Sequence, residues 1–227
     1  MKNFSRLEKG LGIKFKNPDL LKQALVHRSY INENHSFELG HNERLEFLGD
    51  AVLELVVTSH LYLKYDNPEG EMTNWRSSLV NSKMLAKLAH KLNMDEFLYL
   101  SRGEKKDTGK AREYILGNAF EALIGAIYLD QGYTVSQKFI EKTLLVKLPR
   151  ILKEKLYIDP KSHFQELAQE REGMTPEYRV LKESGPDHNK HFVIGVYLGK
   201  KLISEGKGSS KQTAQVAAAA AALKEYE

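Results

Sequence analysis

The chain reads as a multidomain protein: an all-α domain over residues 1–148, a linker at 149–159, and a small α+β unit over 160–227 with the order α-β-β-β-α. Three observations predict this. Up to Leu148 apolar residues recur at three- and four-residue spacing with almost no period-two alternation. The stretch PRILKEKLYIDPK, basic and bracketed by prolines, then interrupts the pattern. Beyond it, three runs rich in β-branched and aromatic residues lie between two helical stretches, which gives a small antiparallel sheet with helices on one face.

Taken in order, PDLLKQALVHRSYI, ERLEFLGDAVLELVVTSHLYLKY and TNWRSSLVNSKMLAKLAHKL each carry a helical apolar face. NAFEALIGAIYLD predicts a helix apolar nearly all round, and TVSQKFIEKTLLVKL a helix that stops at Pro149. SHFQELAQERE is a short helix, and EYRVLKES, HFVIGVYLG and KLISEGKG are strands separated by GPDHNK and GKK. SSKQTAQVAAAAAALKEY closes the chain as an alanine-rich helix.

Composition narrows the class. At 227 residues, with 41% hydrophobic and 28% charged residues, the chain is that of an ordinary globular protein. No apolar run reaches the roughly 18 residues a membrane span needs, so no membrane partner is expected. The start, MKNFSRLEKG, has no hydrophobic signal core and the chain has no cysteine; a cytoplasmic location is therefore expected. A net charge of +4 and a pI near 9.0 are compatible with a polyanionic partner without demanding one.

The stretch ERLEFLGDAVLE carries the chemistry. On a helix, Glu43, Glu46, Asp50 and Glu54 fall in one narrow sector while Leu45, Phe47, Leu48, Val52, Leu53 and Leu55 fill the rest. Such a ridge is either a solvated face or a working one. Like charges at i, i+3 and i, i+4 destabilise each other, Arg44 is the only nearby cation and points elsewhere, and Gly49 costs about 1 kcal/mol relative to alanine. Something therefore needs to approach the backbone beside Asp50.

Glu121 is the lone charge in its apolar stretch, three residues after Asn118. Two readings fit: Asn118 caps a helix that starts after Gly117, with Glu121 reaching back to it, or the two helices cross and pool their side chains. In the second case Glu46, Asp50, Asn118 and Glu121 converge as oxygen donors with no His or Cys, a set suited to Mg²⁺ or Mn²⁺. A metal held by carboxylates commonly activates water for phosphodiester hydrolysis.

HNERLEFLGDAVL resembles the signature of ribonuclease III, ILGNAFEALIGAIYLD its second acidic motif, and GEMTNWRSSLVN another of its segments; the closing α-β-β-β-α unit resembles a double-stranded RNA binding domain. The resemblance runs from about Leu7 to Tyr226 with the motifs in the family's order. It implies a homodimeric endonuclease that cuts both strands of duplex RNA in RNA processing and decay, leaving 5′-phosphate and 3′-hydroxyl ends with a short 3′ overhang. An isologous dimer agrees with this, because one acid set per chain cuts one strand. By resemblance Glu46, Asp50 and Glu121 are metal ligands, with Asp50 and Glu121 catalytic and Glu43 an accessory acid near the scissile phosphate. The expected cofactor is Mg²⁺, with Mn²⁺ able to substitute, and no small-molecule cofactor is implied. Phe47 is implied as an apolar knob entering the partner subunit; from pattern alone it reads equally well as a core residue.

One departure matters. Most of the family has aspartate where this chain has Asn118, so an oxygen ligand is kept and a negative charge is lost, and metal affinity is expected to fall. The alternative reading, a catalytically weakened or silent duplex RNA binder, rests on this residue.

Residues 160–227 carry ten Lys or Arg against nine Asp or Glu, yet between His188 and Lys211 there are five lysines and one acid. GKGSSKQTAQ places Lys207 and Lys211 at a helix N-terminus with no acid, as expected if an anion docks there, with Ser209 or Ser210 as the cap. Duplex RNA is read mainly by shape, through phosphates and 2′-hydroxyls. By resemblance His163, Gln165 and Glu166 face one minor groove, Pro186 and His188 another, and Lys211 with Gln215 the phosphates between. Gln212 stands where a second lysine is usual. A helical di-metal oxidase would need Glu-x-x-His pairs on two helices, and the sole match, ELGH at 38–41, contains Gly40 and precedes the acidic helix.

Overall fold

Two helices of 22 residues, α4 (Glu43–Lys64) and α7 (Lys110–Gln131), pack against each other at the centre of the first domain. The computed structural model describes residues 3–186 and 190–226, and the chain divides into two units between Tyr157 and Ile158. The middle of α7 is apolar all round because it is covered all round: Leu116, Phe120, Leu123, Ile124 and Ile127 are fully buried. Its neighbours are α4, α2 (Pro18–Ala24), α6 (Ser82–Lys91) and α8 (Tyr133–Thr143). At about 1.5–3 kcal/mol for each large apolar side chain, this helix is the main anchor of the first domain.

Around it the local signals set the ends. The first helix, α1 (Ser5–Leu11), ends at Gly12 in the left-handed region, φ 69°. Asn17 caps α2 by accepting from the Asp19 amide, with Pro18 in the first turn. PDLLKQALVHRSYI is not one helix: α2 stops at Ala24 and α3 (Arg28–Glu33) starts after His27. Between them the backbone pairs with Tyr99, whose amide donates to the Leu25 carbonyl while the His27 amide donates to the Tyr99 carbonyl. TNWRSSLVNSKMLAKLAHKL is likewise two helices, α5 (Glu69–Leu79) and α6, because Asn81 turns its side chain to accept from the Met84 amide and starts a new helix.

Pro149 does not stop the helix before it. α8 ends at Thr143, a 3-10 turn covers Leu145–Lys147, and Pro149 lies in the first turn of α9 (Leu148–Lys153), where its missing N–H is no loss. The stretch 149–159, expected as a linker, is therefore largely built into the first domain. Ile151 joins the core, and Tyr157 sets its ring 6.0 Å from that of Trp75.

The second unit opens with α10 (Pro160–Glu172), capped by Asp159 accepting from the Ser162 amide. Strands β1 (Glu177–Ser184), β2 (His191–Leu198) and β3 (Lys201–Gly208) form an antiparallel sheet in that order, followed by α11 (Lys211–Tyr226). Glu177 pairs with Tyr197 and Ser184 with His191, the register slipping between Val180 and Lys182; on the other side Phe192 pairs with Gly208 and Leu198 with Lys201. The alanine run has a packing reason. A Cβ on Gly206 would overlap the backbone of Ala218, so α11 lies so close to β3 that only small residues fit between them. Phe164, Val196, Leu198 and Ile203 complete this core with Ala218, Ala219 and Ala222.

Candidate active site and nucleic-acid interface

The acids meet because two glycines let α4 and α7 touch. A Cβ on Gly49 would overlap the Glu121 carbonyl and lie 2.8 Å from the Gly125 nitrogen; one on Gly125 would overlap the Leu45 carbonyl and lie 3.1 Å from the Gly49 nitrogen. The helix-propensity cost of Gly49 thus permits a backbone-to-backbone crossing, and Gly125 is the matching half that the sequence reading did not single out.

The crossing decides between the two readings of Asn118. α7 begins at Lys110, so Asn118 lies inside the helix and caps nothing. Its side chain instead hydrogen-bonds Glu46 on α4. Glu121 faces the same side and is half-buried rather than enclosed. Its carboxyl is pushed up to about 7, first by burial and then by the nearby negative charges of Asp50, Glu46 and Glu54. Glu46 is raised by burial and by Glu43 and Asp50, with the Asn118 bond opposing the shift. Asp50 is exposed at the open side of the group.

The ridge is not without cations. Arg76 of α5 binds Glu54 at 3.1 Å and donates to the Thr58 hydroxyl at 3.0 Å. Glu43, at the exposed start of α4, has Arg28 at 3.6 Å and His41 at 3.7 Å. Both arginines come from other helices, which is why spacing around Arg44 could not reveal them. Among the described residues no three His, Asp or Glu side chains are gathered tightly enough to hold an ion as they stand. What the crossing provides is a half-buried patch of mutually repelling oxygen donors.

Phe47 is not a core residue. It is 83% exposed, and Leu55 and Tyr62 continue an exposed apolar line along the same face of α4 at 55% and 75%. Near the C-terminal end of that line, Thr58, Leu61, Tyr62, Glu69, Met72, Thr73 and Arg76 line a cavity of about 230 Å³.

In the second unit His163 is half-buried on α10 while Gln165 and Glu166 are exposed. Pro186 is exposed, and His188 lies outside the described residues. Lys207 is exposed one residue before the end of β3, and Ser209 is exposed ahead of α11. Ser210, not Ser209, is the cap: its hydroxyl accepts from the Thr213 amide at 3.2 Å. Lys211 is exposed and lies 5.9 Å from the Phe192 ring centroid. Gln215 is half-buried and accepts from Lys161 at 2.8 Å, and Lys161 also sits 4.9 Å from the Tyr178 ring centroid. Lys161 thus joins α10 to α11 at this face, a role that its place beside Pro160 did not signal.

Comparison with known proteins identifies relatives of this chain. A family model described as Ribonuclease-III-like matches residues 17–148, and one described as Double-stranded RNA binding motif matches residues 160–226. Ribonuclease 3 of Dehalococcoides mccartyi is 42% identical over 228 residues, covering 100% of this chain and 96% of that protein. Ribonuclease 3 of Desulforamulus reducens is 44% identical over 224 residues, covering 98% and 91%. Among solved structures, the nuclease domain of ribonuclease III from Campylobacter jejuni matches with a TM-score of 0.56 and 41% identity, covering 62% of this chain and 98% of that one. That structure is described as showing flexibility in a region involved in dimer formation.

Proposed function

This chain belongs to the ribonuclease III family and is an endoribonuclease carrying a double-stranded RNA binding domain, and from that premise we propose that it cuts duplex RNA in a metal-dependent reaction at the α4–α7 crossing. The observation that carries this reading is the crowding of Glu121 by Asp50 and Glu46 where Gly49 meets Gly125. Clustered carboxylates of this kind are stable in their charged form only beside a cation.

The donor chemistry fits a hard divalent ion: Glu46, Asp50, Asn118 and Glu121 offer oxygen alone and would hold Mg²⁺, or Mn²⁺ in its place. Bound there, such an ion supplies an activated water and neutralises charge on the phosphodiester. The protein's own groups set the conditions. Glu121 must give up its proton to become a donor, and with its carboxyl near 7 it does so around neutral pH. The Asn118 amide donates to Glu46, which opposes the upward pull of burial, Glu43 and Asp50 on that carboxyl and ties it to α7. Glu43, steadied by Arg28 and His41, stands at the exposed edge of the ridge, where the strand to be cut would enter. The products expected are 5′-phosphate and 3′-hydroxyl ends with a short 3′ overhang.

Cutting both strands calls for two such sites related by a two-fold axis, and the exposed line on α4 supports an isologous homodimer. Two copies of α4 laid antiparallel about an axis near Leu55 bring each Phe47 to the partner's Tyr62 end, where the cavity of about 230 Å³ lies. In the second unit Lys161, Lys207 and Lys211 offer phosphate contacts, while His163, Gln165 and Glu166 on α10, with Pro186, reach toward the minor grooves.

Asn118 supports a second reading, a duplex RNA binder with little or no cleavage. Incubating the protein with long duplex RNA and Mg²⁺ separates the two. Fragments with 5′-phosphates that vanish with Glu121→Gln, and that do not form from single-stranded RNA, support the nuclease. Bound RNA left whole even at raised Mn²⁺ would reject it.

A further inference from the structure

We propose that Arg76 is a positioning residue that couples the dimer contact to the acid site, so that pairing of two chains and metal binding reinforce each other. Arg76 stands between the two features. On one side it lines the cavity with Tyr62, Leu61 and Met72; on the other it binds Glu54 at 3.1 Å and Thr58 at 3.0 Å. Glu54 follows Asp50 by one helical turn and is close enough to Glu121 to repel it. The guanidinium therefore touches the last acid of the ridge and the wall of the cavity at once.

The pair is open to water on the free chain, with 34% of the Arg76 side chain and 39% of the Glu54 side chain exposed. A solvated ion pair of this kind is weak and loosely held. If an aromatic ring fills the cavity, as the dimer reading on which this inference rests requires, water leaves the guanidinium and the pair tightens. Arg76 then holds Glu54 at the end of the ridge, and the donors formed by Glu46, Asp50 and Glu121 are left with fixed neighbours. A preorganised donor set binds its ion more tightly than a mobile one. Because coupling between two equilibria is reciprocal, whatever factor the dimer adds to metal affinity, the metal must add to dimer affinity.

The test uses full-length protein without RNA. Mn²⁺ binding is measured by calorimetry, and association by sedimentation equilibrium with and without Mn²⁺, on the natural chain, Phe47→Asp, Phe47→Ala and Arg76→Gln. Phe47 is exposed, so its replacement leaves the core intact, which circular dichroism checks. The Phe47 variants are expected to be monomeric and to bind Mn²⁺ about fivefold or more weakly, while Mn²⁺ strengthens the natural dimer by the same factor. Arg76→Gln is expected to dimerise still but to lose most of that linkage, and Arg76→Lys to recover part of it. Phe47 variants that stay dimeric overturn the dimer reading itself. Monomers whose Mn²⁺ affinity is unchanged overturn the coupling alone, and full linkage surviving in Arg76→Gln removes Arg76 from it.

Discussion

Asn118 is the residue on which the strength of the proposed metal site turns. As an amide it can donate to Glu46, which an ionised aspartate cannot do, so the chain trades a unit of negative charge for a bond within its own acid cluster. Asn118→Asp is expected to lower the Mg²⁺ needed for half-maximal cleavage several-fold. The same change should lower the melting temperature of the metal-free protein, since it sets another carboxylate beside Glu46. A titration of cleavage against Mg²⁺ and a melting curve in chelator check the two halves. Glu121 gives a pH signature. Its folded value, about 7, lies above the ordinary 4.5, so between those values the native chain holds more proton than the unfolded one. Metal-free stability should therefore fall as pH rises from about 4.5 to 7 and level off above, while metal affinity rises over the same window. Glu121→Gln should flatten this component of the melting temperature against pH. The acids of α4, and Asn118 with Glu121 on α7, were legible in the sequence because the repeat of each helix sets them on one face; Arg76, Arg28 and Lys161 were not, because they reach their partners from separate elements.

At the scale of elements, the proposed site depends on how closely α4 and α7 approach. Gly49→Ala gains about 1 kcal/mol of helix propensity but forces a methyl group into the Glu121 carbonyl, and overpacking typically costs about 1–3 kcal/mol or more. Net destabilisation is expected, with a melting temperature lower by several degrees and weaker Mn²⁺ binding, read by calorimetry, because Glu121 is pushed from Asp50. A variant as stable as the natural chain would mean that the helices part without cost. Gly49 announced itself in the sequence by interrupting a strong helical pattern. The breaks in α2–α3 and α5–α6 did not, because their apolar spacing continues across the break. One break is made by a backbone pairing with distant Tyr99, and the other by the single side chain of Asn81.

Across the whole molecule the chain separates catalysis from RNA capture into two units, each with its own core. The three strands were legible in their β-branched and aromatic residues and in the turn residues between them. The extent of the connection was not: prolines marked it as a linker, whereas burial of Ile151 and the packing of half-buried Tyr157 against the core keep most of it in the first unit. If Lys207 and Lys211 contact phosphates, replacing both with alanine should weaken binding to duplex RNA of any sequence and reduce the slope of log affinity against log salt by about 2. Filter binding over a salt series measures it. Trp75, the one tryptophan of the chain, is 5% exposed and stacked edgewise by Tyr65 and Tyr157. Excitation at the red edge of its absorption therefore lights up the nuclease half alone, and a denaturation curve followed by its emission, set against one followed by ellipticity, would resolve the melting of each half without any label.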